Sequence, residues 1–119
     1  MATYFAGVQL FDGRTVRSHA GVLVAGGRIE WVGPHRRAPR ASRAAHEVEG
    51  KGRTLAPGLI DCHVHLCFDG GSDFQGEGQR VAGNDALATI KALRNGRKHL
   101  ERGTTTVRDL GGPSAYACS

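Results

Sequence analysis

The triplet His63-Val64-His65 carries the side chains in this sequence that are best suited to chemistry. It ends a mostly apolar run that begins at Leu59 and predicts a β-strand. Side chains alternate along a strand, so residues two apart point to the same side. Two imidazoles that converge in this way suit a divalent metal ion, and Zn²⁺ is the expected ion because histidine nitrogens are among its usual ligands.

A His-x-His triplet by itself fits two half-exposed polar residues equally well. Its position favours the metal site, because it ends a strand predicted to be buried and parallel, and α/β proteins place their chemistry there. Asp61 lies on the same side, where it is expected to orient a histidine or accept a hydrogen bond behind the ligands. Arg108 and Asp109 end the next predicted strand and are either substrate-side residues or a surface ion pair.

The elements that position these residues form a strand, helix, strand sequence. Asn84 is a good helix N-cap and Gly103 a stop signal, and Thr104–Asp109 is a β-branched run that predicts the second strand. The segment 67–83 is rich in glycine and acidic residues, and no regular structure is predicted for it. A βαβ unit with two parallel strands follows from this order. The helix is predicted from four apolar residues at helical spacing: Leu87, Ile90, Leu93 and Leu100.

The first half of the chain has strand periodicity. Gly26-Gly27 joins two apolar runs and predicts a tight hairpin, since both residues of such a turn need positive φ angles. Short edge strands are predicted at 46–49 and 53–56. Residues 1–56 are therefore expected to form a small antiparallel β-unit.

Composition limits the remaining possibilities. The chain has 119 residues, enough for one ordinary domain, and a formal net charge of +5. Much of the excess charge lies in 34–43, which is predicted to be a solvated connection; the alternative is a basic module that binds nucleic acid or acidic surfaces. This stretch has no aromatic residues for base stacking, so no nucleic-acid partner is predicted.

Cysteine content and hydropathy point to a soluble cytoplasmic protein. The three cysteines are expected to be reduced thiols, and Cys62 is expected to be buried. The sequence has no signal peptide and no apolar stretch of the ~20 residues that a membrane helix needs, so no membrane partner is predicted. The cysteines are Cys62, Cys67 and Cys118.

Two segments resemble strands of a known enzyme family. The run Leu55-Ala56-Pro57-Gly58-Leu59-Ile60-Asp61-Cys62-His63-Val64-His65-Leu66 resembles the first barrel strand of the amidohydrolase superfamily. The run Gly103-Thr104-Thr105-Thr106-Val107-Arg108-Asp109-Leu110-Gly111-Gly112 resembles the second, in the branch of imidazolonepropionase-like and Xaa-Pro dipeptidase-like enzymes. Residues 1–56 are similar to the small β-sandwich with which these enzymes begin.

The resemblance implies an α/β fold in which 57–119 starts a (β/α)8 barrel and 1–56 is part of a composite β-sandwich. It implies a metal-dependent hydrolase that cleaves C–N bonds of a small molecule or dipeptide, with one or two divalent ions, usually zinc. His63 and His65 would be ligands of the more buried ion. The family's other ligands, a carboxylated lysine or glutamate, further histidines and an aspartate, come from later strands.

A complete barrel takes about 250 residues, whereas 57–119 supplies two strands and one helix. We therefore expect an N-terminal piece of an amidohydrolase that is inactive alone, with no certain catalytic residue of its own. The apolar faces of both strands would then be exposed. A non-catalytic remnant and a small basic binding module are the alternatives, and the oligomeric state stays open.

Overall fold

The computed structural model describes residues 1–112, so Cys118 lies outside the described residues. The chain divides into two compact units, Met1–Pro57 and a second that begins at Gly58. Among the described residues, no helix is long and apolar enough to span a membrane.

The first unit is a single β-sheet. Strands β1 (Ala2–Phe11), β2 (Val16–Ala25) and β3 (Arg28–Pro34) form an antiparallel meander. Strands β4 (His46–Glu49) and β5 (Thr54–Leu55) both pair with β1 in parallel. The antiparallel prediction is therefore wrong for the last two strands, because the connection after β3 carries the chain to the far side of β1 before it pairs again.

Local turn chemistry sets the hairpins of this sheet. Gly26 and Gly27 have φ angles of 56° and 74°, which confirms the predicted tight turn between β2 and β3. Gly7, with a φ of 66°, lies at a register shift in the pairing of β1 with β2. Such a bulge reverses which face the next side chains occupy. Residues of β1 consequently belong to two buried clusters, one with Tyr4 and Ala6 and the other with Val8 and Leu10.

The arginine-rich connection contains two short 3₁₀ helices, His35–Arg37 and Arg40–Ala44, that the sequence did not predict. Ala38 and Ala45 pack against the Tyr4 cluster, and the Tyr4 hydroxyl lies 2.8 Å from His35 Nδ1. The predicted solvation of this stretch is confirmed by its exposed arginines: Arg36, Arg37, Arg40 and Arg43.

The second unit contains the predicted βαβ arrangement. Strands β6 (Leu59–Val64) and β7 (Thr104–Asp109) pair in parallel, and helix α2 (Asp85–Glu101) lies between them in sequence. The Asn84 side chain accepts a hydrogen bond from the Leu87 N–H at 3.0 Å, which confirms the predicted N-cap. Gly103 follows the helix with a φ of 88°, as a stop signal should.

A second helix, α1 (Phe74–Val81), lies in the segment for which no regular structure was predicted. Two internal glycines, Gly76 and Gly78, weaken its sequence signal because glycine disfavours helix interiors. The Asp73 carboxylate caps its start and accepts from the Gly76 N–H at 3.0 Å. Val81 is fully buried and anchors the helix.

Two burial predictions differ from the structure. Leu59 and Ile60 at the start of β6 are 62% and 66% exposed, as expected of a chain that supplies two strands of a barrel, whereas the prediction that Cys62 is buried is wrong. Among residues 1–112, β6 has β7 as its one strand partner, which leaves the other edge of β6 unpaired. The apolar stripe of α2, with Ile90 and Leu93, is also exposed, and the helix instead buries Ala88 and Asn95.

Candidate metal-binding site

The two histidine rings lie side by side at the C-terminal end of β6. Their ring centroids are 5.4 Å apart at an interplanar angle of 69°; His63 is exposed and His65 half-buried. Asp61 pairs with Val107 and Val64 with Asp109, so β6 carries one extra residue over this stretch. The predicted approach of the two imidazoles is therefore observed, within a bulged strand end rather than a regular one.

A backbone carbonyl fixes the state of the His65 ring. Its Nδ1 atom lies 2.5 Å from the carbonyl oxygen of Gly111, which is 46 residues further along the chain. A carbonyl only accepts hydrogen bonds, so Nδ1 of the neutral ring carries the proton. The Nε2 atom is then left with a free lone pair, which is the state a metal-ligating imidazole needs.

Asp109 organises the backbone around this contact. One carboxylate oxygen accepts from the Gly111 N–H at 2.8 Å, and the other accepts from the Leu66 N–H at 3.4 Å. The carboxylate thus ties the residue after His65 to the residue whose carbonyl holds the His65 ring. Asp109 and Arg108 form no ion pair in the described part of the chain, and Arg108 is exposed beside Ile60.

Asp61 contacts backbone rather than an imidazole. Its carboxylate accepts from the His63 N–H at 3.1 Å. This bond stabilises the bulged strand end next to the histidines. The expectation that Asp61 orients a histidine ring stays a prediction. The sequence analysis did not identify Gly111, whose carbonyl holds the His65 ring, because a glycine has no side chain that would indicate such a role.

An aromatic pair borders the site. The Phe68 ring lies 5.8 Å from the His65 ring and 5.0 Å from the Phe74 ring, between centroids. The Phe68 N–H donates to the His65 carbonyl at 3.0 Å, so a tight turn brings the two side chains together. A cavity of about 280 Å³ opens beside them, with Lys98 and Arg102 on its wall. Its size lies near the lower end of small-molecule sites.

The sequence analysis did not predict a partly buried polar network behind the turn, formed by Lys91, Glu77 and Asp69. Lys91 Nζ donates to the carboxylates of Glu77 at 2.6 Å and Asp69 at 2.9 Å. The Glu77 hydrogen bond raises the pKa of Lys91, and the Lys91 hydrogen bond lowers the pKa of Asp69. The signal was present: Ala88, Lys91 and Asn95 share one helix face, and two polar residues on a face that packs inward predict buried hydrogen bonds.

The nitrogen atoms of His63 and His65 provide part of the ligand set of a zinc site. Within residues 1–112, no group of three or more histidine, cysteine or acidic side chains is arranged to hold a metal ion. His63 and His65 offer two nitrogen donors, half of the usual tetrahedral set, and His65 is in the correct tautomer. Cys67 does not add to them, because burial raises the pKa of its thiol and so disfavours the thiolate that binds metal.

Comparisons of the sequence with known proteins agree on one family. The sequence model of the amidohydrolase family matches residues 54–117. An imidazolonepropionase of Salinispora arenicola (strain CNS-205) is 36% identical, over 77% of this chain and 27% of that protein.

Solved structures agree with the sequence match. The crystal structure of an amidohydrolase superposes with a TM-score of 0.74 at 33% identity, over 92% of this chain and 25% of that one. A prolidase crystallised with N-methylphosphonate-L-proline gives a TM-score of 0.71 at 30% identity, over 92% of this chain and 26% of that one. The chain therefore spans about a quarter of the length of these relatives.

Proposed function

Because the chain belongs to the amidohydrolase family, we propose that it supplies the first metal ligands of a hydrolase that cleaves carbon–nitrogen bonds. In this proposal β6, α2 and β7 begin a (β/α)8 barrel, and residues 1–56 are part of a composite β-sandwich. The parallel pairing of β6 with β7 across a helix supports the barrel assignment. The activity would belong to a polypeptide of the relatives' length, with this chain inactive alone.

His63 and His65 are the proposed ligands of a divalent ion, for which Zn²⁺ is the expected identity. A bound zinc ion polarises a carbonyl and lowers the pKa of a coordinated water to about 7. The observation that carries the assignment is the hydrogen bond from His65 Nδ1 to the Gly111 carbonyl, since it leaves the Nε2 lone pair of that ring available to a metal ion. Family members are generally metal-dependent, in agreement with this donor set.

The other residues of the site act on the protein side of this chemistry. The Gly111 carbonyl accepts a hydrogen bond from His65 Nδ1 and so keeps the proton on that atom. The Asp109 carboxylate accepts from the Gly111 N–H at 2.8 Å and positions this carbonyl. The Phe68 ring packs beside the His65 ring, with 5.8 Å between their centroids, and limits its movement. Asp109 is thus proposed as a residue that positions a ligand, with Asp61 fixing the backbone of His63 in the same way.

The proposed substrate is a small amide, cyclic amide or dipeptide. The relatives that carry this proposal are an imidazolonepropionase and a prolidase bound to a proline phosphonate, both at 30% identity or more. The cavity beside His65, of about 280 Å³, is of a size for part of such a molecule.

The test uses the native polypeptide that contains these residues, purified from its source cell. Hydrolysis of Xaa-Pro dipeptides and of imidazolonepropionate is measured for the wild type, His63→Ala, His65→Ala and the control His46→Ala, an exposed histidine on β4. The proposal requires that the first two variants lose hydrolysis while the control keeps it. Undiminished hydrolysis in both site variants would overturn it.

A further inference from the structure

Asn95 makes an unusual set of hydrogen bonds for a helix residue. Its side chain is buried on α2, and the residue is only 7% exposed. The Nδ2 group donates to the carbonyls of Leu66 at 2.9 Å and Phe68 at 2.8 Å, with Asp69 Oδ1 as a third acceptor at 3.3 Å. An amide NH2 has two protons, so the two backbone carbonyls take its full donor capacity.

The carbonyls that Asn95 holds belong to the turn directly after His65. Within that turn the Phe68 N–H donates to the His65 carbonyl at 3.0 Å, and the Phe68 ring packs on the His65 ring. The backbone of Leu66 is held by two side chains. Its N–H donates to the Asp109 carboxylate, and its carbonyl accepts from the Asn95 amide. The position of the His65 ring is therefore set by contacts from both β7 and α2.

Neighbouring ion pairs add further contacts to this turn. Lys91 lies one helical turn before Asn95 and binds Asp69, the third acceptor of Asn95, at 2.9 Å. Glu77 accepts from both Lys91 and the Asp69 N–H, at 2.6 and 2.7 Å. The turn that follows His65 is thus fixed at Leu66, Phe68 and Asp69 by side chains distant in sequence.

We propose that Asn95 is a positioning residue of the metal site: by holding the 66–69 turn, it keeps the His65 ring against the Gly111 carbonyl and directs Nε2 to the metal. The part of this proposal that concerns metal rests on the proposed function. The part that concerns the His65 tautomer does not, because it follows from contacts within the chain.

The variants are chosen to separate positioning from general stability. Asn95→Ala removes both donors, and Asn95→Ser retains one hydroxyl donor as a conservative change. Ser42→Ala is the matched control, because the buried Ser42 hydroxyl also donates to a backbone carbonyl, that of Pro39 at 2.7 Å, within the first unit.

The first readout is the tautomer of His65 in the full chain, from long-range ¹H–¹⁵N spectra at about pH 8, where an unperturbed imidazole is neutral. His65→Ala assigns the signal. The expected result is an Nδ1–H ring in the wild type and Ser42→Ala, a mixture with the Nε2–H form in Asn95→Ala, and partial recovery in Asn95→Ser. A wild-type pattern in a folded Asn95→Ala variant would overturn the proposal.

The second readout is the Zn²⁺ affinity of the native polypeptide that contains these residues, from competition with a chromophoric chelator. Loss of a group that positions a ligand typically weakens metal binding by about 10–100-fold, so Asn95→Ala is expected to bind zinc at least about tenfold more weakly than Ser42→Ala. Equal affinities would overturn the positioning role. If the wild type binds no zinc, the proposed function fails, and the tautomer comparison still decides the role of Asn95.

Circular dichroism of each variant decides the remaining case. If Asn95→Ala and Asn95→Ser both unfold while Ser42→Ala stays folded, Asn95 is a residue of general stability and the positioning proposal is wrong.

Discussion

The Nδ1 atom of His65 lies 2.5 Å from the carbonyl oxygen of Gly111, and this contact joins the ends of the two parallel strands of the second unit. The geometry of a residue after β6 thus depends on the backbone after β7. A change confined to that backbone is expected to alter the chemistry of the histidine.

Gly111→Ala tests this dependence. Gly111 has a φ of 87°, a conformation that costs an alanine about 1–2 kcal/mol, so the substitution should lower the free energy of unfolding by that amount and displace the carbonyl. Zinc affinity should fall with it. The measurements are urea denaturation of this chain and zinc competition with the native polypeptide that contains it, with Gly71→Ala as control, because Gly71 has open space around it and no positive φ. Unchanged zinc affinity in Gly111→Ala would contradict the proposed role of the carbonyl.

Lys91→Met tests the buried ion pair behind the site. The Glu77 side chain is 5% exposed and that of Lys91 is 16% exposed, so removing the ammonium leaves a buried carboxylate without its cation. The expected loss in unfolding free energy is about 3 kcal/mol. Lys91→Met with Glu77→Gln should recover part of it, since the uncompensated charge is then gone.

The matched control for Lys91→Met is Arg80→Met. Arg80 and Asp73 form an ion pair whose side chains are 60% and 65% exposed, and such pairs contribute about 0–1 kcal/mol. Equal losses for the Lys91 and Arg80 variants would show that burial of Glu77 does not determine the effect.

The Asp12 carboxylate is expected to make the first unit sensitive to acid. It accepts from the N–H groups of Thr15 and Arg14 and binds the Arg17 guanidinium. These bonds hold the pKa of Asp12 far below its ordinary value, and the bond from the Thr15 N–H has the largest effect. A lowered folded-state pKa stabilises the protein above the unfolded pKa of about 3.9, and this stabilisation is lost as the pH falls below it.

Asp12→Asn checks this pH dependence. Its unfolding free energy should lie below that of the wild type at about pH 7, and the difference should shrink at about pH 3, where protonation has begun to remove the advantage of the carboxylate. Glu30→Gln is the control, because Glu30 is exposed and its side chain has no hydrogen bond or ion pair to any described residue. A difference that is constant with pH would rule out the carboxylate as its source.

Gly96→Ala should stabilise the chain. Gly96 is inside α2, and a Cβ there meets no atom within 4 Å, so alanine gains helix propensity of about 0.8–1 kcal/mol without a clash. Gly50→Ala is the contrast, because its Cβ would lie 2.7 Å from the Ala6 carbonyl oxygen and should destabilise the sheet. Denaturant midpoints measure both, and a destabilised Gly96→Ala would mean that this helix face is covered.

Local signals account for what the sequence predicted correctly. The Gly26-Gly27 hairpin, the Asn84 cap and the strand Thr104–Asp109 each depend on residues within a few positions of one another. The parallel pairing of β6 with β7 follows from element order, because a helix between two strands carries the chain back to its starting side.

The misses depend on contacts between residues far apart. Asn95 binds a carbonyl 29 residues away and Gly111 binds a ring 46 residues away, and no spacing rule anticipates either. The parallel pairing of β4 and β5 with β1 depends on the path of the connection after β3. Helix α1 was not predicted because its two glycines lower its helix propensity. Asp73, a good N-cap residue, and the apolar Val81 are the residues in the sequence that indicate it.

The most direct test of the His63 and His65 assignment is a zinc titration of the native polypeptide that contains these residues, followed by metal analysis after gel filtration. The wild type is compared with the double variant His63→Ala with His65→Ala and with the control His46→Ala. The wild type and the control are expected to retain zinc and the double variant to lose it, because the two neighbouring imidazoles are the proposed first ligands of the ion. Zinc retained by the double variant at the wild-type level would contradict the assignment of these two ligands.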